Sequence, residues 1–256
     1  MGCAQARPAQ RVAFTEPVVI ESDPVQAQFA AAREEYEEGR YDEAARRLHA
    51  LAQRPGLAPL LRGSALLQEG VCRIEAGDRA EGQDLLRQSL EIFDRAGAAE
   101  PIDPGLPGQA EYWLGEAYAR EFRELKLDPP AMTEEALAEA LERKAALLLS
   151  AQGHFLRSVR SGEGDWAIAA GYRIGEMYEQ LHDQLVKAPL PQDLTASQRT
   201  LYRQEVRARV RNLVSKAMRI YEDTLSAAQR TGTRSDAVAR TEAALQRLRS
   251  ALLEPD

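Results

Sequence analysis

The sequence predicts an all-α fold, and three observations predict it. Ala, Leu, Glu, Arg and Gln dominate a chain of 256 residues in which 44% are hydrophobic and only 6% aromatic, a composition rich in strong helix formers. Apolar residues return every three or four positions over long stretches, which is the period of an amphipathic helix. Runs of β-branched residues are nearly missing. Val18-Val19-Ile20, after Pro17, is the one strand candidate and precedes the helical body.

Residues 1–24 are polar and Pro-containing, and read as a flexible tail. Val25, Phe29, Ala32 and Tyr36 then follow at steps of four, three and four, predicting a helix over 25–38 that Gly39 ends. Tyr41 opens a second helix running to about Gln53, where Pro55-Gly56 breaks the chain. The plan repeats: a helix over 59–76 stops at Gly77-Asp78, and the next runs to about Arg95. A loop rich in Pro and Gly, 97–108, divides the chain. After it comes Tyr112-Trp113-Leu114-Gly115-Glu116-Ala117-Tyr118, which recurs sixty residues later as Tyr172-Arg173-Ile174-Gly175-Glu176-Met177-Tyr178. Each copy opens a long helix, then a loop (Asp128-Pro129-Pro130; Ala188-Pro189-Leu190-Pro191), then another long helix over about 133–160 or 196–230. Thr133 and Thr195 stand as their N-caps. A last helix over 235–252, with Val238, Ala244, Leu245, Leu248 and Leu252, closes the series. The expected organisation is two helix pairs in 25–96, two longer pairs in 109–232, and a capping helix with its tail in 233–256.

A small residue, an aromatic three or four positions on, a glycine turn and an alanine in the following helix resemble the tetratricopeptide repeat. Ala32, Tyr36, Gly39 and Ala44 form one copy, and Gly70, Gly77 and Leu86 a degraded one. Leu114-Gly115 with Tyr118 and Ile174-Gly175 with Tyr178 are the clearest first helices. The resemblance implies a solenoid of about four antiparallel helix pairs plus the C-terminal cap. The stretch from Trp166 to Gly232, with Tyr172-Arg173-Ile174-Gly175-Glu176-Met177-Tyr178-Glu179, Ala188-Pro189-Leu190-Pro191, Tyr202, Lys216-Ala217 and Tyr221, resembles a segment of tetratricopeptide proteins from myxobacteria and related groups. Those proteins belong largely to the cell envelope, some to gliding-motility machinery, so the resemblance implies an envelope setting.

Charge narrows the partners. A net charge of −7 and a pI near 5.3 argue against general nucleic-acid binding, which needs a cationic excess to displace phosphate counterions. Of the 33 basic residues only Lys126, Lys144, Lys187 and Lys216 are lysines, usage that fits a GC-rich bacterial genome. Cys3 and Cys72 are not expected to pair, since Cys72 falls among apolar helix neighbours. Gly2-Cys3 resembles the junction at which bacterial lipoproteins are lipidated. On that reading Cys3 carries the lipid and residues 1–24 tether the folded part, giving an outer-membrane lipoprotein that faces the periplasm. No apolar run is long enough to span a bilayer, so membrane attachment would come only through Cys3.

Catalytic patterns are not found. His49, His154 and His182 stand at no metal-ligand spacing, and there is no His-Glu-x-x-His, no Cys-x-x-Cys, no phosphate loop and no Gly-x-Ser-x-Gly elbow. Gly162-Glu163-Gly164 lacks the preceding strand that a phosphate-binding turn requires. The expectation is a non-catalytic scaffold without metal or cofactor, binding protein partners as a peptide or helix. In stacked helix pairs the first helices line the groove, which nominates Phe29, Arg33 and Tyr36, then Tyr112, Glu116 and Arg120, then Tyr172, Glu176 and Glu179. The aromatics have an alternative role in packing against the neighbouring pair. Arg199, Arg203, Arg207 and Arg211 recur every four residues as a basic stripe opposite Val206, Val210, Leu213 and Ala217. The stripe reads as a strip for an acidic partner or for anionic groups at a membrane surface, or as a solvated face with Glu205 and acidic neighbours close by. Two other settings suit the same fold: an outer-membrane assembly or cell-division accessory lipoprotein, and a cytoplasmic adaptor for which Cys3 has no role.

Overall fold

The computed structural model describes residues 24–127, 132–162, 164–188, 190 and 194–253. Among these, every regular element is an α-helix: α1 (Pro24–Glu37), α2 (Tyr41–Ala52), α3 (Pro59–Ala76), α4 (Arg79–Gly97), α5 (Gly105–Glu124), α6 (Glu134–Arg160), α7 (Gly164–Lys187), α8 (Ala196–Thr231) and α9 (Asp236–Leu253). Cys3, the Val18–Ile20 strand candidate and the Asp128-Pro129-Pro130 loop lie outside the described residues. The chain divides into two compact units, Met1–Leu106 and Pro107–Asp256. Helix α7 begins at Gly164, ahead of the Tyr172 segment expected to open it, and α5 begins inside the expected 97–108 loop. Asp103 explains it: its Oδ1 accepts from the Gly105 N–H at 2.8 Å, and Pro107 lies in the first turn, where its missing N–H costs nothing.

In the first unit the two turn glycines do the same work. Gly39 (φ 78°) and Gly77 (φ 104°) are left-handed, a conformation open to glycine without steric cost. Each closes a helix with the same pair of bonds: Gly39 N–H to Tyr36 O and Arg40 N–H to Glu35 O, then Gly77 N–H to Ile74 O and Asp78 N–H to Arg73 O. This double closure satisfies carbonyls that the helix end leaves open and turns the chain back. Phe29, Ala32, Tyr36, Ala44, Ala45 and Leu48 are buried, and α3 is buried almost continuously from Gly63 to Cys72, because α2 packs on one side of it and α4 on the other. Gly70 and Gly82 meet where α3 crosses α4; a Cβ on Gly70 would lie 2.9 Å from the Gly82 carbonyl oxygen.

In the second unit the repeated Tyr-x-x-Gly-Glu segments sit in α5 and α7, and each glycine receives a ring from the following antiparallel helix. A Cβ on Gly115 would stand 2.7 Å from the Phe155 ring of α6, and one on Gly175 would collide with the Tyr221 ring of α8. Phe155 and Tyr221 are fully buried, so two large apolar groups are accommodated by removing a methyl from the facing helix. Thr133 caps α6 by accepting from the Ala136 N–H at 3.2 Å. Thr195 and Gln198 form a reciprocal capping box at α8. Helix α9 packs on both α7 and α8.

Candidate interaction surfaces

The residues expected to line a groove divide into an interior set and a surface set. Phe29, Tyr36, Tyr112 and Glu116 are buried, so the aromatics take the packing role that the sequence left open. Tyr112 lies 5.6 Å from Phe155 and 5.2 Å from Trp166, ring centre to ring centre. Arg33 is half-buried and pairs with Glu37 at 3.5 Å, and Arg120 lies over the Trp113 ring at 5.7 Å.

Glu116 is a buried strut. Arg173 of α7 donates to both its carboxylate oxygens, through Nε and, at 3.0 Å, through Nη2, and also pairs with Glu176 on its own helix. Burial alone would raise the Glu116 pKa, but the Arg173 charge and hydrogen bonds outweigh it and hold the carboxyl below its ordinary range. Burial likewise works against the Arg173 charge, and Glu116 more than reverses it. The next helix along repeats the device: Glu179 of α7 accepts from Arg247 of α9 at 2.7 Å and from the Tyr221 hydroxyl at 3.1 Å. Tyr172 donates to Glu176 at 3.0 Å, with Arg240 over its ring at 5.2 Å. Glu176 and Glu179 also border an open polar cavity of about 280 Å³ with Gln180, Asp183, Gln184 and Arg247. Of the expected groove, α7 therefore supplies the part that reaches a concave surface.

Other buried ionisable groups, Lys144 and Glu69 among them, were not read from the sequence. Lys144 of α6 is fully buried; its ammonium donates at 2.6 Å to the carbonyls of Phe122 and Leu125 at the end of α5, and lies 4.1 Å from the Phe122 ring centre. Burial, helped by nearby Lys126, pushes its pKa down to about 8. Glu69 of α3 is fully buried against His49 at 3.0 Å, and burial raises its pKa. Helix periodicity marks such positions as interior without saying that the partner is a carbonyl or an imidazole. His154 pairs with Glu111 at 2.7 Å and His182 with Asp183 at 3.3 Å. Among the described residues no group of three His, Cys, Asp or Glu could hold a metal. The buried Cys72 thiol is pushed well above its ordinary pKa by burial, which leaves it a poor nucleophile.

The surface carries two further features. Leu141, Leu149, Leu156 and Val159 of α6 are exposed, Leu149 by 65%. With Ala145 they fall within about 80° of the helix circumference, so they form one apolar stripe. The Leu147-Leu148-Leu149 run hid it, since Leu147 and Leu148 are buried and only Leu149 turns outward. On α8, Arg199, Arg203, Arg207 and Arg211 are all exposed, while Val210 and Ala217 are buried and Val206 and Leu213 half-buried. Among the described residues no helix is long and apolar enough to cross a membrane. The chain matches no protein-family model, no curated protein and no solved structure.

Proposed function

We propose that this chain is a non-catalytic scaffold of tetratricopeptide-like helix pairs that holds protein partners together. The observation that carries the reading is the α6 stripe. Water-exposed leucines grouped on one helix face mark a protein-contact surface more than they serve folding. The repeated glycine closures at Gly39 and Gly77 and the ring-on-glycine packing at Gly115 and Gly175 support the repeat assignment. The buried pair Glu116–Arg173 and the half-buried pair His154–Glu111 serve as ties between helices. An envelope setting, with Cys3 lipidated and a motility complex among the candidates, rests on Gly2-Cys3 and on the resemblance of residues 166–232.

Two measurements test this. Crosslinking and affinity capture with the Leu149→Glu chain should lose partners that the parent retains, with the circular dichroism spectrum unchanged; unchanged capture removes the α6 surface from the proposal. Fractionation of cells producing the full reading frame should move a Cys3→Ser chain out of the membrane. If both forms are soluble, the envelope setting falls and an adaptor of the cytoplasm remains.

A further inference from the structure

The exposed apolar residues of α6 stand in a self-complementary order. Leu141, Ala145, Leu149, Gln152, Leu156 and Val159 follow at steps of four, four, three, four and three, close to the spacing of a seam along which a second helix lies. All are exposed except Gln152, which is half-buried and accepts from the Tyr178 hydroxyl at 3.0 Å. The seam is nearly symmetric about residue 150. Leu141 and Val159 are 18 residues apart, which is five whole turns, so both leave the helix in the same direction. Ala145 and Leu156 stand five and six residues from the same centre, and Leu149 and Gln152 one and two.

The charges beside the seam repeat its symmetry. Glu142 and Arg160 are also 18 residues apart, and Glu142 precedes Leu149 by seven, so both charges border the Leu149 edge. Both are exposed, and neither has a partner among the described residues. The positions one turn from Glu142 are Ala138, Glu139, Ala145 and Ala146, none of which can neutralise it. The adjacent Arg143 is taken by Glu121 at 2.6 Å. Glu142 is the ninth residue of α6, beyond the first turn in which a carboxylate gains from the helix dipole.

We propose that α6 pairs with α6 of a second copy of this chain, antiparallel, about a twofold axis beside residue 150. Reversal sets Leu141 against Val159 of the second copy, Leu156 against its Ala145, Leu149 against its Gln152 and Glu142 against its Arg160. The twofold axis then repeats every contact. Over about 27 Å of helix, apolar groups meet apolar groups, the large Leu156 falls on the small Ala145, and opposite charges face each other. A parallel pair would oppose Glu142 to Glu142 and Arg160 to Arg160. A lipid surface fits less well, because the strip is only about 80° wide and Glu139 and Glu142 would meet the headgroups. The proposal rests on the scaffold reading, whose α6 surface it uses, and names what covers it.

Sedimentation equilibrium of the full chain from about 1 to 500 μM should show monomer and dimer in exchange, since a seam of one helix per copy is an interface of the small, transient class. Leu149→Glu should weaken the dimer at least tenfold. Glu142→Arg should weaken it several-fold and Glu142→Arg/Arg160→Glu should restore it, a rescue that misfolding cannot produce. Orientation is read by oxidation in a Cys3→Ser background. Leu149→Cys, next to the axis, should form a disulfide-linked dimer by itself, whereas Leu141→Cys and Val159→Cys should link only when the two chains are mixed. Linking of Leu141→Cys alone overturns the proposal. So does a chain that stays monomeric throughout, or a dimer indifferent to Leu149→Glu and to the charge exchange. A monomeric chain whose Leu149→Glu variant still loses captured partners would leave the scaffold reading standing and remove this one. A dimer through α6 with partner capture unchanged would do the reverse.

Discussion

At the scale of single residues, Arg173 and Glu116 each remove the penalty the other would suffer in the interior. Arg173→Met should therefore destabilise the chain by about 3–5 kcal/mol in urea titrations, because an uncompensated carboxylate stays behind. Burial then acts on Glu116 with only the more distant Arg123 and Arg120 in opposition, and its pKa rises. The native chain would hold a proton that the unfolded chain has released, so the deficit shrinks as pH falls towards 5. Glu116→Leu/Arg173→Met should regain most of the loss. Lys144 gives the opposite dependence. Its native pKa of about 8 lies below the ordinary 10.5, so between those values the unfolded chain binds more protons and stability rises with pH. The urea midpoint should be higher at pH 9.5 than at 7.5, and the rise should vanish in Lys144→Met. The gain ends near pH 10, where unfolded tyrosines ionise while burial holds Tyr112 and Tyr221 protonated. None of these partnerships is visible in the sequence, because spacing along one helix says nothing about which group on another helix it meets.

At the scale of elements, the sequence was far more legible. Helix ends are written in local chemistry, a Thr with its N3 residue or a glycine with its two backbone bonds, so α3 spans the expected 59–76 and α8 begins at the expected 196. Helix α5 was an exception, since Pro and Gly signal a break whether they sit in a loop or in a first turn. The repeated segment marks Gly175 and nothing in the sequence marks Gly153, and the two differ in the fold. Gly175→Ala should cost about 1–3 kcal/mol, because the added methyl meets the buried Tyr221 ring. Gly153→Ala in α6 has space, its nearest neighbour the end of the Arg157 side chain at 3.8 Å, and should stabilise by about 0.5–1 kcal/mol. Thermal melts of the two variants, moving in opposite directions, would check the packing directly. The expected groove residues divide between interior and surface for a related reason: periodicity finds the apolar face of a helix, but not whether a neighbouring helix or a partner covers it.

At the scale of the whole molecule, each unit has its own apolar interior, around Leu48, Leu67 and Leu86 in the first and around Phe155, Trp166 and Tyr221 in the second. Separate production of residues 24–104 and 105–256 should give two fragments with helical circular dichroism and cooperative melts; a fragment that stays unfolded would show that its core is incomplete. The buried Lys144 bears on how such a fragment of α5 and α6 finds its shape. Two antiparallel helices lined with alanine and leucine could slide past one another by a turn and still satisfy the hydrophobic effect, since one greasy contact is much like the next. A slide by four residues would carry the ammonium off the last carbonyls of α5 and strand it among side chains. The lysine therefore acts as a key with a single slot, and it sets the alignment of the pair by making every other alignment untenable.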